Sequence, residues 1–303
     1  MGEKWRIPMP VPDHPLRNPL PLLPIPHSLF PTPNSLGSDM RNFTYHRPAD
    51  VNAAAATLTK STEPRLVAGG MSLLPSMKLR LVAPSDIVDL ADIGALKGVK
   101  VDGREVFVGA MTCHADVAAN ADVKRVLPAL AELAEGIGDP AVRYRGTIGG
   151  SIANADPAAC YPAAVLGLDA TVETNMRKIT GDSFFTALFT TALEPGEIVT
   201  GVRFKAPDKA KYMKLRHPAS GFAVVGVMVA KFGSNVRVAV TGAGPSAFRV
   251  ASMEKALSAN FSVKSIEAIT IPHADLMTDI HFSGEYRANA VAVMARRAVA
   301  AMV

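Results

Sequence analysis

The chain has 303 residues, 49% of them hydrophobic, 19% charged and 6% aromatic, which supports packed cores for two domains and excludes a disordered polypeptide. The formal net charge is +5 and the isoelectric point about 9.2. The basic excess is scattered, with no Lys/Arg run longer than two, so a nucleic-acid footprint is excluded and a solvated surface or a face for an acidic partner remains.

Residues 1–39 differ from the rest. They hold ten of the 23 prolines, between Pro8 and Pro33, and the single tryptophan, Trp5. Proline removes backbone donors and blocks helices, so this segment is expected to be extended or disordered. It reads either as a proline-rich partner ligand or as a non-functional extension from a start codon called too early. Beyond it, Val51 to Thr59 reads as a helix, Arg65 to Ala68 as a short strand, and Leu73 to Leu81 as partly helical. Ile87 to Leu90 reads as a strand, and Lys100 to Val108 as a hairpin on an Asp-Gly turn. Helices are expected from His114 through Asn120, from Pro128 to Glu135 and from Pro162 to Gly167, with a strand at Ala170 to Thr174. Phe184, Phe185, Leu188 and Phe189 are spaced for one helical face.

After a strand at Ile198 to Phe204, the polar stretch Lys205 to Ala210 with Pro207 marks a domain boundary. Strands at Lys211 to Arg216, Phe222 to Lys231 and Asn235 to Thr241 form an antiparallel meander. Helices at Ala251 to Ala259 and Glu285 to Met302 follow, an order that fits a sheet covered by helices on one face.

Chemistry concentrates in two small-residue stretches about 80 residues apart. One is Leu66-Val67-Ala68-Gly69-Gly70-Met71-Ser72-Leu73. The other runs from Gly146-Thr147-Ile148-Gly149-Gly150-Ser151 to Asn154 and Pro157. Each is read as a turn. Gly pairs let backbone approach a bulky anion, and successive amides with Ser, Thr or Asn donors form an anion-binding nest. Ordinary turn punctuation is the other reading of either stretch alone. Neither matches the dinucleotide fingerprint G-x-G-x-x-G or a P-loop, so the residues themselves reach a pyrophosphate cradle of non-Rossmann type. No Ser/His/Asp, Cys/His or paired-carboxylate arrangement accompanies them.

The only cysteines are Cys113 and Cys160, without CxxC, which argues against an iron–sulfur or zinc site in this chain and fits a reducing compartment. No apolar run approaches the roughly 18 residues of a membrane span, and the N-terminus lacks a signal-peptide core; the expected location is the cytoplasm.

The two glycine stretches, in this order and spacing, resemble the FAD-binding signatures of one family: the FAD-binding (medium) subunit of molybdenum hydroxylases, of the carbon monoxide dehydrogenase and xanthine dehydrogenase type. The resemblance runs from about Met40 to the C-terminus. It implies an α+β fold: a two-subdomain FAD-binding domain of PCMH (vanillyl-alcohol-oxidase) type at residues 40–208, then a small domain of antiparallel sheet plus helices at 209–303. It implies FAD as cofactor, with Leu66, Val67, Ala68, Gly69, Gly70, Met71, Ser72 and Leu73 wrapping one side of the pyrophosphate. Thr147, Ile148, Gly149, Gly150 and Ser151 wrap the other, with Asn154 beside them.

Residue by residue, the resemblance also places Ile137 against the cofactor, where helix-end packing is the alternative. Ile198 and Val199 match a pair whose backbone meets the ring or adenine, where a core strand is the alternative. Lys214 resembles a lysine near the flavin ring, where a cation would stabilise the reduced anion; the alternative is a solvated lysine on a strand. Cys160 departs from the family, which usually has an acidic residue there; it is either a small buried replacement or a weak point in cofactor binding, with covalent flavin attachment as a minor alternative. His114 can cap a helix entry or pack near the cofactor. The resemblance makes the chain an electron-transfer subunit between a [2Fe–2S] small subunit and an external acceptor, alongside a molybdopterin large subunit, as a dimer of heterotrimers. The rivals are a self-sufficient flavin oxidase or dehydrogenase of the same fold and a scaffold without cofactor.

Overall fold

The computed structural model describes residues 40–303; the readings made for residues 1–39 lie outside it. Three sheets organise the described chain. Thr44–His46, Asp86–Asp89 and Pro64–Val67 pair in parallel, in that spatial order. The connections are the helix Val51–Lys60, N-capped by the Asp50 carboxylate, and the short helix Leu73–Lys78. Ala54, Val88, Leu90, Ile93, Leu96, Met111 and Ile198 form the core of this part.

The second sheet is antiparallel, in the order Val99–Asp102, Glu105–Gly109, Val199–Lys205, Thr171–Thr174, Lys178–Thr180. Helices His114–Ala119, Ala121–Val126, Pro128–Glu135, Pro140–Arg145, Ile148–Asn154 and Tyr161–Gly167 belong to this region. Their shared core includes Leu127, Leu130, Leu133, Ile148, Ile152, Tyr161 and Phe204. The third sheet is the meander Lys209–Arg216, Ala223–Phe232, Asn235–Thr241 and Phe248–Arg249. Helices Ala251–Ala259 and Gly284–Ala300 cover one face, against Val225, Val227 and Val229.

Three expectations change. Helices cover both faces of the third sheet: Met228 and Ala230 belong to the core shared with helix Tyr161–Gly167. The reason is that strand Ala223–Phe232 is apolar from Ala223 to Ala230, and alternating side chains then need cover on both sides. The Phe184–Phe189 stretch is not a helical face. A one-turn helix Gly181–Phe184 buries Phe184, and the chain then forms the hairpin Phe185–Ala187 with Thr190–Thr191, leaving Leu188 and Phe189 exposed. Finally, the second glycine stretch is helical at Ile148–Asn154 and not a bare turn. No helix among the described residues is long and apolar enough to cross a membrane.

Candidate functional site

The first glycine segment leaves the carboxyl end of strand Pro64–Val67, the end of a parallel strand at which ligands gather. Gly70 adopts φ +72°, a left-handed conformation that glycine enters without penalty. Among the described residues, no hydrogen bond of the chain uses the amides of Gly69, Gly70, Met71, Ser72 or Leu73. Leu66 and Val67 are held in register with Val88 and Asp89, and Leu66 and Ala68 pack on the core beneath.

The second segment is built oppositely. Thr147 caps its helix, its hydroxyl accepting from the Gly150 amide at 3.1 Å. Ile148 N donates to Thr112 O, Gly149 N to Ala110 O, and Ser151 N to Thr147 O. Gly149 is required by contact: a Cβ there would lie 2.5 Å from Ala110 Cβ. A strip from Ala110 to His114 thus backs this segment, and Cys113 bridges to Thr147. Sequence reasoning missed this supporting role, because Ala110 and Thr112 carry no motif.

The two segments meet. A Cβ on Gly69 would lie 2.0 Å from Arg145 O and 2.7 Å from Gly146 Cα, and one on Gly150 would lie 3.5 Å from Ala68 Cβ. Backbone therefore touches backbone where Gly69 meets Arg145 and Gly146, and a side chain is excluded at that position. Ser151 and Asn154 are half-buried on the second segment, with side chains that make no hydrogen bond among the described residues.

His114 lies beneath this junction. It is buried, its amide donates to Gly146 O at 3.0 Å, and its Nε2 would sit 2.6 Å from a Gly146 Cβ. Its ring is 5.3 Å from that of Tyr161, and among the described residues neither His114 Nδ1 nor Tyr161 OH has a hydrogen-bond partner. Burial, aided by the positive charge of Arg143, lowers the His114 pKa to about 4; burial raises that of Tyr161.

Lys214 and Ile137 come together at a neighbouring turn. Lys214 Nζ donates to Gly136 O at 3.0 Å, and Arg216 donates to the same carbonyl at 2.6 Å. Arg143 donates to Ile137 O at 3.0 Å. Arg216 was not anticipated, although its spacing of two from Lys214 on one strand puts it on the same face. Lys214, Arg216, Arg143 and Arg145 take part in none of the ion pairs among the described residues, so this flank of the junction is cationic and suited to a polyanion.

Cys160 is buried in the shared core, facing the Tyr212 hydroxyl, whose pKa is raised by burial first and by Cys160 second. The loop before it is tied down by Thr241, which donates to Pro157 O and Ala159 O. Ile198 and Val199 are buried in two different core clusters. Both backbone groups of Ile198 are taken by Asn175, at 2.7 Å and 3.0 Å.

Residues 41–206 match the family described as the FAD binding domain in molybdopterin dehydrogenase, which covers more than half of the chain. The chain belongs to the FAD-binding medium subunits of molybdenum hydroxylases. It is 35% identical to the carbon monoxide dehydrogenase medium chain of Afipia carboxidovorans over 85% of this chain and 96% of the relative. It is 33% identical to that of Hydrogenophaga pseudoflava, again over 85% and 96%. In structure it is similar to quinoline 2-oxidoreductase from Pseudomonas putida 86, with a TM-score of 0.78 at 25% identity, over 87% and 98% of the two chains. The family's cofactor is FAD, and the glycine junction fits it: polar backbone is presented where any Cβ would intrude. The anticipated α+β architecture is the one these relatives share.

Proposed function

We propose that this chain holds FAD as the electron relay of a molybdenum hydroxylase, taking electrons from a [2Fe–2S] small subunit and passing them to an external acceptor. A molybdopterin large subunit would carry the substrate chemistry, and the assembly would be a dimer of heterotrimers in the cytoplasm. Bound FAD supplies single-electron uptake together with two-electron delivery. The observation that carries the reading is the run of amides from Gly69 to Leu73, unengaged among the described residues, whose first member Gly69 lies against the Arg145–Gly146 backbone.

In this reading, Gly69 to Leu73 donate to the pyrophosphate, with Leu66, Val67 and Ala68 as their support. Thr147, Ile148, Gly149, Gly150 and Ser151 form the opposite wall, holding shape more than donating, since the amides of Ile148 to Ser151 are used within the chain. Ser151 and Asn154 side chains add polar contacts. Ile137, Ile198 and Val199 supply apolar surface, and Cys160 a small buried neighbour. Lys214 supplies a cation beside the flavin ring; Arg216 holds the Gly136 carbonyl when Lys214 turns to the cofactor. The division into residues 40–208 and 209–303 belongs to the same proposal, with the first part carrying most cofactor contacts and the second bringing Lys214.

The test is near-ultraviolet and visible absorbance of the purified chain before and after acid precipitation. Flavin bands released to the supernatant support non-covalent FAD, and bands retained in the pellet point to Cys160. A colourless chain that takes up no added FAD overturns the reading. Co-purification of iron–sulfur and molybdopterin subunits, with flavin bleaching on substrate addition, tests the relay itself.

A further inference from the structure

The strip that backs the second glycine segment is itself anchored. Ala110 N donates to Thr200 O at 3.0 Å, Met111 N to Leu96 O at 2.8 Å, and Gly98 N to the Thr112 hydroxyl at 2.9 Å. His114 ends this strip, and its ring reaches Gly146. A Cβ on Gly146 would lie 2.6 Å from His114 Nε2 and 3.0 Å from its Cδ2, so the ring fills the space that a side chain there would need. The backbone adds a second tie, His114 N donating to Gly146 O at 3.0 Å.

The ring is braced on Tyr161. That side chain is fully buried, its ring lies 5.3 Å away, and it opens the helix Tyr161–Gly167, in which every residue is buried. Interiors are too densely packed for a ring held in this way to drift. Gly146 in turn meets the first glycine segment, its Cα 2.7 Å from where a Gly69 Cβ would be. The contacts therefore run in series from Tyr161 through His114 and Gly146 to Gly69, the first of the amides left unengaged among the described residues. His114 Nδ1 is sealed with no partner among the described residues, a desolvation cost that an aliphatic side chain would not carry. Burial and the charge of Arg143 keep the ring neutral near pH 7, so it acts by its shape.

We propose that His114 is a positioning residue for the cofactor: its ring, braced by Tyr161, sets how far Gly146 stands towards Gly69, and through that contact the seat of the pyrophosphate on the amides from Gly69 to Leu73. It acts through Gly146 and not by touching the cofactor. The proposal rests on the reading of the chain as an FAD carrier and names what holds the two segments at their spacing.

The test is a mutant cycle in the full-length chain: His114→Ala, Gly146→Ala and the two together. Gly146 has φ −63° and ψ 141°, which alanine adopts freely, so the effect of that variant comes from the added methyl against the His114 ring and Val142 O. FAD affinity is read by fluorescence titration well below every melting temperature, and apo-chain melting is read separately. A role in stability alone would lower melting and leave the affinity of the folded chain unchanged. The expected result is a loss of FAD affinity of about tenfold in each single variant. The double variant is expected to be no weaker than the worse single, because removing the ring opens the space that the methyl enters. His114→Gln, neutral and of similar reach, is expected to recover most of the affinity lost in His114→Ala.

Wild-type FAD affinity in folded His114→Ala or in Gly146→Ala overturns the proposal. So do losses that simply add in the double variant, and so does His114→Gln binding as weakly as His114→Ala. Should either single variant not fold, the other decides. A wild-type chain that takes up no FAD overturns the reading beneath instead, and the wild-type titration separates the two failures.

Discussion

The two glycine segments are near copies in composition and opposites in construction. From Gly69 to Leu73 the amides are left without partners among the described residues and the segment is half-buried to exposed. From Ile148 to Ser151 every amide is already bonded, to Thr112, Ala110 or Thr147. Close packing needs glycine in both, Gly69 against Arg145 O and Gly149 against Ala110, while the left-handed turn at Gly70 is found only in the first. The lesson is that a Gly pair marks a place where backbone must come close, and the hydrogen-bond pattern tells whether its amides are left to donate or are already used within the chain.

The sharpest way to break this comparison is at the contact between the segments. Gly69→Ala places a methyl carbon 2.0 Å from Arg145 O, a backbone atom that cannot move aside. FAD affinity is expected to fall by about a hundredfold, equivalent to about 3 kcal/mol, with a lowered melting temperature as the segments are forced apart. Fluorescence titration with FAD and a thermal melt of the apo-chain measure the two parts.

Acid should single out the second segment through His114. Its folded pKa of about 4 lies below the ordinary value of 6.5, so the unfolded chain takes up the proton first as pH falls. Stability is full above about 6.5 and is lost progressively down to about 4, by on the order of 3 kcal/mol. The groups facing the ring are Arg143, which opposes its protonation, and Tyr161, neutral throughout this range. Denaturant melts of the apo-chain across this window should show the slope, and His114→Gln should flatten it; an unchanged slope in the variant would remove His114 from the account.

Gly70→Ala should act on the first segment alone. The left-handed φ of +72° costs a non-glycine residue about 1 to 2 kcal/mol, while the nearest obstacle is the tip of Leu74, which can shift. The expected result is weaker FAD binding with a smaller change in apo-chain melting than Gly69→Ala. Thr147→Ala is the mildest case: loss of the cap on Gly150 N costs about 1 kcal/mol of apo-chain stability, and Thr147→Ser restores it. Equal FAD losses from Gly70→Ala and Thr147→Ala would erase the distinction between a donating and a supporting segment.

Much of the architecture was legible beforehand. Helix Pro128–Glu135, strand Asn235–Thr241 and helix Ala251–Ala259 fall where periodicity, Pro at the first turn and β-branched runs put them. The Phe184–Phe189 stretch was not, because two apolar pairs, Phe184–Phe185 and Leu188–Phe189, repeat at a spacing of four and so satisfy helical spacing as well as a hairpin whose ends differ in burial. Phe184 is fully buried while Leu188 and Phe189 face water, and that choice is made by the surrounding core. In the same way, Ile148–Asn154 carries two glycines that disfavour a helix, and its packing on Ala110 outweighs them.

By itself, the sequence determined where backbone approach is permitted, which strands must be covered, and, through the order of its two glycine signatures, the family. Those properties are local: absent Cβ atoms, apolar runs and short motifs travel with the chain. Only the tertiary structure decided which glycine segment keeps its donors free, that Lys214 shares the Gly136 carbonyl with Arg216, that His114 is sealed beneath the junction, and that Leu79 and Leu81 stand in water. Each of these depends on pairs of groups far apart in the chain, whose hydrogen bonds and burial exist only once the core has brought them together.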